Sequence, residues 1–282
     1  MEILPEPEWE GLLRELKKYK GTALLLGATD SGKSTLAKYM VRMLVKEAIT
    51  VSVVDADVGQ SSLGLPGTIS MKVFSNEKDI EQYAFEKMFF VGSTNPAKKI
   101  SPMVNGSKRM VDICRGTSEV IFIDSTGLIT GEIGRALKIG KIRAIKPEHI
   151  IALQKNDELE HILRLVEHGI IHRIGVSMMA KSRDRENRIR YRKKKFLDYF
   201  GEKRNSEILL HQHDAMFFLN GKSFILKGSD FKAGTIIGLN HNDDTMALGM
   251  ITEMTEDSII FTSPIKTLTG INRVLFGDMT IY

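Results

Sequence analysis

The sequence predicts an α/β fold in which helices cover both faces of a parallel sheet, followed by a small antiparallel β domain. Short apolar runs alternate with amphipathic runs of helical period through about residue 204, as in parallel sheets buried on both faces. After residue 205, short β-type runs are separated by Asn, Asp and Gly turns. Several apolar runs of the first region also end in small polar residues, at the strand ends where α/β sheets bind ligands.

The first elements can be justified in chain order. WEGLLRELKKY (9–19) has the apolar spacing of a short amphipathic helix, and TALLLG (22–27) is a continuous apolar run that predicts a buried strand. LAKYMVRMLVKEA (36–48) again has helical period. TVSVVDAD (50–57) is β-branched and apolar before it meets two acids, so it predicts a second strand with a polar end.

The next strands repeat this plan. KMFFVGST (87–94) and EVIFIDST (119–126) are apolar runs that end in small polar residues, and HIIALQ (149–154) and IIHRIGV (170–176) are two further strands. Between the last two, residues 156–169 predict a helix with Asn156 as N-cap and Gly169 just past its end.

These elements predict three parts of the chain. They are an N-terminal helical segment over residues 1–20, a main α/β domain over 21–204 with a basic segment at about 181–195, and a β domain over 205–282.

Composition argues against a membrane or secreted protein. Of the 282 residues, 42% are hydrophobic and 27% are charged, and no apolar run approaches the roughly 20 residues that cross a bilayer. The acidic start MEILPEPEWE does not resemble a secretory signal, and a single cysteine, Cys114, allows no intrachain disulfide. We therefore expect a reducing, cytoplasmic setting.

The positive charge is concentrated in one segment. Residues 181–204 contain eleven basic and four acidic side chains, a net charge of +7, which leaves −2 for the rest of a chain whose total is +5. Such a segment suits a polyanion or a nucleotide phosphate, and a solvated helix face is the alternative.

The stretch GATDSGKST, residues 27–35, has the form of a phosphate-binding loop. It follows an apolar strand and precedes an amphipathic helix, so its backbone N–H groups and the helix N-terminus would surround phosphate oxygens. Lys33 would reach the β and γ phosphates, and Ser34 would place its hydroxyl on Mg²⁺. The residues expected to bind the nucleotide are Gly27, Thr29, Asp30, Ser31, Gly32, Lys33, Ser34 and Thr35.

Two aspartates at strand ends are candidate ligands of Mg²⁺. Asp57, in VVDADVGQSS, can bind Mg²⁺ or accept the proton of an attacking hydroxyl, with Gln60 nearby to orient a nucleophile, whereas Asp55 can equally be a turn residue. Asp124, in VIFIDSTG, follows four apolar residues, so the pattern alone ranks it ahead of Asp57 for Mg²⁺. Thr126 and Gly127 would line the same site.

The arginine-rich stretch KSRDRENRIRYRKKKF could close over this site. Arg188 and Arg192 are four residues apart and would share a helix face, where two guanidinium groups can clamp a transferring phosphoryl group. A basic helix that only contacts solvent or RNA is the alternative.

With these motifs in place, the chain resembles the polynucleotide 5′-hydroxyl kinase family, whose members phosphorylate RNA or DNA 5′ ends and whose eukaryotic relatives act in RNA processing. The resemblance covers about residues 21–202. It rests on GATDSGKST, DADVGQSSLGLPGTIS, FVGSTNP and IDSTGLITG in this order, together with the arginine-rich stretch. It implies a P-loop NTPase fold and a kinase that uses ATP and Mg²⁺.

The resemblance also implies residue roles. Asp57 would act near Mg²⁺ and as the base toward the 5′-hydroxyl, with Asp124 in support. Arg188 and Arg192 would be the lid arginines, with Arg183 and Arg185 left open. The substrate-binding residues would be Gln60, Gly92, Ser93, Thr94, Thr126 and Gly127, and the metal would be held by Ser34, Asp57 and Asp124.

The chain departs from the family pattern in two places. Leu128 stands where the family usually has a tryptophan that stacks on the terminal nucleotide. Only about 20 residues precede the first strand, where eukaryotic relatives carry a domain that helps to recognise adenine, so the choice of ATP or GTP stays open.

Two alternative functions remain: a nucleotide-binding scaffold without turnover, and a switch NTPase whose acceptor is water. Protein partners are not predicted.

Overall fold

The structure, a computed structural model, describes residues 3–177, 184–201, 206–226 and 231–281. The helices are α1 (Pro7–Tyr19), α2 (Lys33–Lys46), α3 (Glu77–Glu81), α4 (Ile100–Arg115), α5 (Gly131–Ile145), α6 (Glu160–Leu163) and α7 (Arg185–Tyr199). The strands of the first region are β1 (Gly21–Gly27), β2 (Val51–Ala56), β3 (Thr68–Phe74), β4 (Lys87–Phe90), β5 (Val120–Ser125), β6 (His149–Gln154) and β7 (Ile170–Gly175). The later strands are β8 (Ser206–His211), β9 (Met216–Leu219), β10 (Lys222–Phe224), β11 (Thr235–His241), β12 (Asp244–Met254), β13 (Ser258–Ser263) and β14 (Arg273–Thr280).

The centre of the sheet is parallel, in the order β2, β5, β1, β6, β7. The parallel sheet is confirmed at its core, but the strand β3, which the sequence pattern missed, lies antiparallel between β2 and β4, so the whole sheet is mixed. The physical reason is the connection, because residues 57–67 contain no helix that could carry the chain back for a parallel pairing. Two antiparallel steps restore direction, so the carboxyl end of β4 reaches the same edge as that of β2.

Helices cover both faces of the sheet, as predicted. Alternate residues of the central strands point to opposite sides, so that Leu25 packs with α1 and α2, whereas Leu24 packs with α4 and α5. Helices α4 and α5 were not among the predicted elements. Among the described residues, no helix is long and apolar enough to cross a membrane.

The predicted helix over residues 156–169 is wrong in extent, because α6 has only four residues and begins after Leu159. Local side chains hold the preceding turn instead: the Glu158 carboxylate accepts the N–H groups of Lys155 and Asn156, each at 2.9 Å. Gly169, with a φ of +96°, turns the chain into β7 and is not a helix cap.

The later strands are mostly antiparallel, although β9 and β14 pair in parallel. They continue the same sheet, because β12 pairs with β4 where Thr245 lies opposite Met88. Phe196 of α7 and Phe200, the residue just after this helix, pack into the core beneath these strands, against Ile236. The predicted limits of the three parts of the chain stay predictions.

Candidate active site

The polar clusters predicted from the sequence meet at one edge of the sheet, beyond the carboxyl ends of β1, β2, β4 and β5. Parallel strands place their carboxyl ends together, and this explains the meeting of segments that are distant in the chain. Helix α7 contacts two of these clusters.

The loop between β1 and α2 has the backbone of an anion-binding cradle. Gly32, at the N-cap of α2, has a φ of +93°, a left-handed conformation that favours glycine, and Asp30 also has a positive φ of 60°. Lys33 is buried, and its Nζ donates to the carbonyl oxygens of Gly27 at 3.0 Å and Ala28 at 2.7 Å. Burial lowers the pKa of Lys33, and Asp124, Asp57 and Asp30 oppose that shift. The ammonium group and the helix N-terminus both favour a bound anion.

The other predicted loop residues have separate surroundings. Ser31 is buried and accepts from Lys33 at 3.3 Å, Thr29 lies against Gly127, and Thr35 is exposed in the first turn of α2.

Ser34 and Asp124 form the pair best suited to a hard cation. The Ser34 hydroxyl donates to Asp124 Oδ2, and the buried Oδ1 of Asp124 has no partner among the described residues. Burial, with repulsion from Asp55, raises the pKa of Asp124 to about 7, while Lys33 and the Ser34 hydrogen bond act in the opposite direction. A carboxylate and a hydroxyl are the oxygen ligands that Mg²⁺ prefers, alongside nucleotide phosphates and water. These residues therefore fit the ion.

The two acids of the DADVG segment have different surroundings. Asp55 is buried, and its Oδ2 accepts from Ser61 Oγ at 3.0 Å, Ser62 N–H at 2.6 Å and Leu63 N–H at 2.8 Å. Asp55 therefore holds the loop that follows β2, which is the turn role that the sequence left open.

Asp57 is half-buried. Its Oδ1 accepts the N–H groups of Gly59 at 3.0 Å and Gln60 at 3.1 Å, and its Oδ2 bonds no residue in the described part of the chain. A carboxylate fixed by one oxygen can present the other to a substrate hydroxyl. Gln60 is half-buried in the same turn.

The GST segment follows β4 and is held by the last strand of the chain. Ser93 is buried, and its Oγ donates to Asp278 Oδ2 at 3.1 Å while accepting from Asn95 N–H at 3.1 Å. The Asp278 N–H in turn donates to the carbonyl of Gly92 at 2.8 Å. The Ser93 hydroxyl is thus engaged in holding the loop, whereas Thr94 is half-buried.

The Thr94 carbonyl lies beside the Asp57 turn, 3.3 Å from where a Cβ on Gly59 would be. The role of Asp278 could not be found from the sequence, because nothing local relates it to residues about 185 positions earlier.

Thr126 and Gly127 follow β5 and face the phosphate loop. A Cβ on Gly127 would lie 2.4 Å from Thr29 N and 2.5 Å from Thr29 Cα, so a side chain there would displace backbone. Thr126 is buried, and its carbonyl accepts from Lys138 of α5. Leu128, the departure from the family pattern, is half-buried and packs against the core.

Two fully buried lysines lie on the inner face of α5, and the sequence reasoning missed both. Lys138 is hydrogen-bonded, and burial lowers its pKa well below the ordinary value. Lys141 Nζ has no partner among the described residues, and burial lowers its pKa to about 8, while Asp57, Asp124 and Asp55 oppose the shift. The sequence did contain a signal for these buried lysines, because Lys138 and Lys141 lie on the apolar face of the helix formed by GEIGRALKIGKIRAI.

Helix α7 docks on the site through its inner face. Arg188 Nη2 lies 2.8 Å from Asp30 Oδ2 of the phosphate loop. On the loop after β2, Tyr191 donates its hydroxyl to the Ser61 carbonyl at 2.9 Å, and Lys195 Nζ donates to the Ser62 carbonyl at 3.2 Å.

The predicted arginine pair lies on that face. Burial lowers the pKa of Arg192, and repulsion from Arg188 and Arg185 adds to the shift, so these three cations are near one another. Arg188 and Arg192 are half-buried and Arg185 is exposed, whereas Arg183 lies outside the described residues.

Comparison with known proteins places this site in a family. The model of the family described as mRNA cleavage and polyadenylation factor CLP1 P-loop matches residues 27–202. The polyribonucleotide 5′-hydroxyl-kinase of Methanocaldococcus jannaschii is 39% identical over 212 residues, which are 73% of this chain and 56% of that protein. The enzyme of the same name from Pyrococcus horikoshii is 36% identical over 196 residues, 68% of this chain and 53% of that protein. The chain thus spans about half the length of the curated relatives it matches.

Solved structures support the fold. The wild-type Clp1p–Pcf11p (454–563) complex contains a chain that matches with a TM-score of 0.74 and 12% identity, over 97% of this chain and 79% of that chain. A second complex of the same two proteins matches with a TM-score of 0.76 over the same shares. At this identity the likeness shows the fold alone.

Proposed function

This chain belongs to the CLP1 P-loop family, and we propose that it transfers the γ-phosphoryl group of ATP to the 5′-hydroxyl end of RNA, with DNA ends as a second acceptor to be tested. The observation that carries the proposal is Asp57: a carboxylate fixed by one oxygen beside a phosphate loop, with its other oxygen bonded to no described residue. The names of the archaeal relatives support the choice of acceptor. The cytoplasmic setting stays a prediction.

The phosphate loop would hold the nucleotide. Lys33 and the N-terminus of α2 supply positive charge and N–H donors for the β and γ phosphates. Ser34 and Asp124 would hold Mg²⁺, which neutralises developing negative charge on the phosphates when it is bound. This arrangement favours Asp124 for the metal and leaves Asp57 for the acceptor. Among the described residues, nothing in the site selects between ATP and GTP.

The transfer itself would be an in-line displacement. The substrate O5′ forms a bond to the γ phosphorus while the bond from that phosphorus to the β–γ bridging oxygen breaks, and the nucleoside diphosphate leaves. Asp57 accepts the hydroxyl proton. Arg188 and Arg192 stabilise the charge on the transferring group.

The acceptor strand would enter between the Asp57 turn and the GST segment. The Gly92 and Thr94 backbone, with Gln60, would hold the terminal nucleotide, and Ser93 would act by shaping its loop. Leu128 packs against the core, so we expect weaker stacking on the first base than an aromatic ring would give.

The test is label transfer from γ-labelled ATP to short RNA and DNA strands that carry either a 5′-hydroxyl or a 5′-phosphate. We expect label only on the hydroxyl ends. Asp57→Asn should lower kcat by about 10²-fold or more while it keeps nucleotide affinity, and Lys33→Ala should lose both. Asp112→Asn, an exposed acid on α4, is the matched control and should match the wild type.

Other results of the label-transfer assay would favour one of the two alternative functions. Nucleotide binding without turnover would support a scaffold, and phosphate release to water without transfer would support a switch NTPase. Equal activity in Asp57→Asn and the wild type would remove Asp57 from the proposed mechanism.

A further inference from the structure

Lys138 is a fully buried lysine that binds the loop beyond β5 through several acceptors. Its Nζ donates to the carbonyl oxygen of Thr126, to Ser125 Oγ at 2.9 Å and to Thr126 Oγ1 at 3.3 Å. Ser125 Oγ donates onward to the Leu25 carbonyl at 2.6 Å, in the strand that leads into the phosphate loop. One ammonium group therefore ties the ends of β1 and β5 to the Thr126–Gly127 turn.

This contact fixes the orientation of one peptide group. The Thr126–Gly127 peptide is trans, since no cis bond occurs in the described chain. In a planar trans peptide the C=O and N–H point in opposite directions. Because Lys138 holds the Thr126 carbonyl on the α5 side, the Gly127 N–H points to the other side. Gly127 also adjoins the phosphate loop, because a Cβ on it would lie 2.4 Å from Thr29 N. An N–H that points away from α5 at this position is therefore available to a phosphate bound in the loop.

We propose that Lys138 is a positioning residue that aims the Gly127 N–H at the terminal phosphate of the bound nucleotide. A cation on the carbonyl oxygen also polarises the peptide, and this strengthens its N–H as a donor. The inference deepens the proposed function, and for its effect on turnover it rests on that function.

Stability alone gives a poor account of Lys138. Burying an ammonium group costs free energy that an apolar side chain of similar volume would avoid, even when hydrogen bonds offset part of it. Orientation of the Gly127 N–H, a hydrogen-bond donor to phosphate, would explain why a charged side chain is buried at this position. Lys141, three residues along the same helix face, supplies the comparison, because it is equally buried and its Nζ bonds no described residue.

The experiment compares Lys138→Met with Lys141→Met, which removes the same charge from the same face without removing a hydrogen bond. Calorimetry would give the affinities for ADP and for a non-hydrolysable ATP analogue, both with Mg²⁺. We expect Lys138→Met to lower the affinity for the ATP analogue by about 10-fold or more, as for a lost hydrogen bond to a charged group. The affinity for ADP should change by less than about 2-fold, and Lys141→Met should change neither affinity.

Turnover gives a second readout. Lys138→Met should lower kcat for 5′-end phosphorylation by about 10²-fold, the range found when one donor to developing charge is lost, with little change in the KM for RNA. If Lys138→Met fails to fold, Lys138→Gln keeps an N–H donor at shorter reach and should show the same analogue-specific loss to a smaller degree.

Several outcomes would overturn the proposal. An equal loss of affinity for ADP and for the ATP analogue would show that Lys138 only supports the fold of the loop. If the ratio of the two affinities is the same in the wild type and in both Lys138 variants, the Gly127 N–H does not contact the terminal phosphate. If the wild type phosphorylates no 5′ end, the proposed function fails, but the affinity ratio still decides the role of Lys138.

Discussion

Replacing Lys141 with methionine should stabilise this protein at neutral pH. The amine is fully buried without a partner among the described residues, and its pKa is lowered from 10.5 to about 8, chiefly by burial. Each pKa unit corresponds to about 1.4 kcal/mol, so keeping this group protonated in the folded protein costs about 3 kcal/mol. Methionine has a similar volume and no charge, and it should recover most of that free energy.

The pH dependence of this gain has a definite sign. Between pH 8 and 10.5 the unfolded chain keeps the Lys141 proton while the folded protein has lost it, so the unfolding free energy of the wild type rises with pH in this window. The advantage of Lys141→Met should therefore be full below pH 8, shrink between pH 8 and 10.5, and disappear above.

Urea unfolding at pH 7 and at pH 10.5 measures this difference. We expect the unfolding free energy of Lys141→Met to exceed that of the wild type by about 2–3 kcal/mol at pH 7. The exposed Lys108→Met is the control for loss of a positive charge and should change little. A variant less stable than the wild type at pH 7 would refute the reasoning, because it would mean that the amine has a favourable partner.

Three further changes test contacts around the site. Asp55→Ala should destabilise the protein by about 3 kcal/mol in urea unfolding, since it leaves buried N–H donors unpaired; a change under about 1 kcal/mol would contradict its structural role. Arg188→Met should lower kcat by about 10²-fold with ADP affinity nearly kept, and an equal loss of ADP affinity in calorimetry would instead assign Arg188 to nucleotide binding through Asp30. Asp278→Asn should raise the KM for 5′-hydroxyl RNA about 5-fold with the KM for ATP unchanged, because Ser93 loses a charged acceptor; parallel changes in both constants would argue against it.

The features that the sequence predicted best are those set by local chemistry. The phosphate loop needs glycine at Gly32, where φ is positive, and the apolar strands place the acids at their ends. Strand direction then brings Asp57 and Asp124 to one edge. The pattern ranked Asp124 ahead of Asp57 for the metal, but it could not show the bond from Ser34 that supports this ranking, because the two residues are 90 positions apart in the chain.

The features that the sequence did not predict depend on distant partners or on competing local bonds. Helix α5 places Lys138 on an apolar face, so its pattern does not read as a simple amphipathic helix. Asp278 matters only because β14 lies beside the GST segment. The helix over residues 156–169 was overpredicted because Glu158 hydrogen-bonds the backbone before α6 and shortens it.

If the chain binds a nucleoside triphosphate as proposed, the distribution of charge around the site favours docking of a basic helix there. A nucleoside triphosphate carries more negative charge than one Mg²⁺ neutralises, and Lys33 alone cannot offset the remainder. The lowered pKa of Arg192 reflects burial and repulsion among cations, both of which a bound anion would relieve. Asp30 forms an ion pair with Arg188 in the structure. A triphosphate beneath α7 would therefore stabilise its docked position, and loss of the γ phosphate would remove part of the attraction. Phosphoryl transfer and release of the lid would thus be coupled through charge alone.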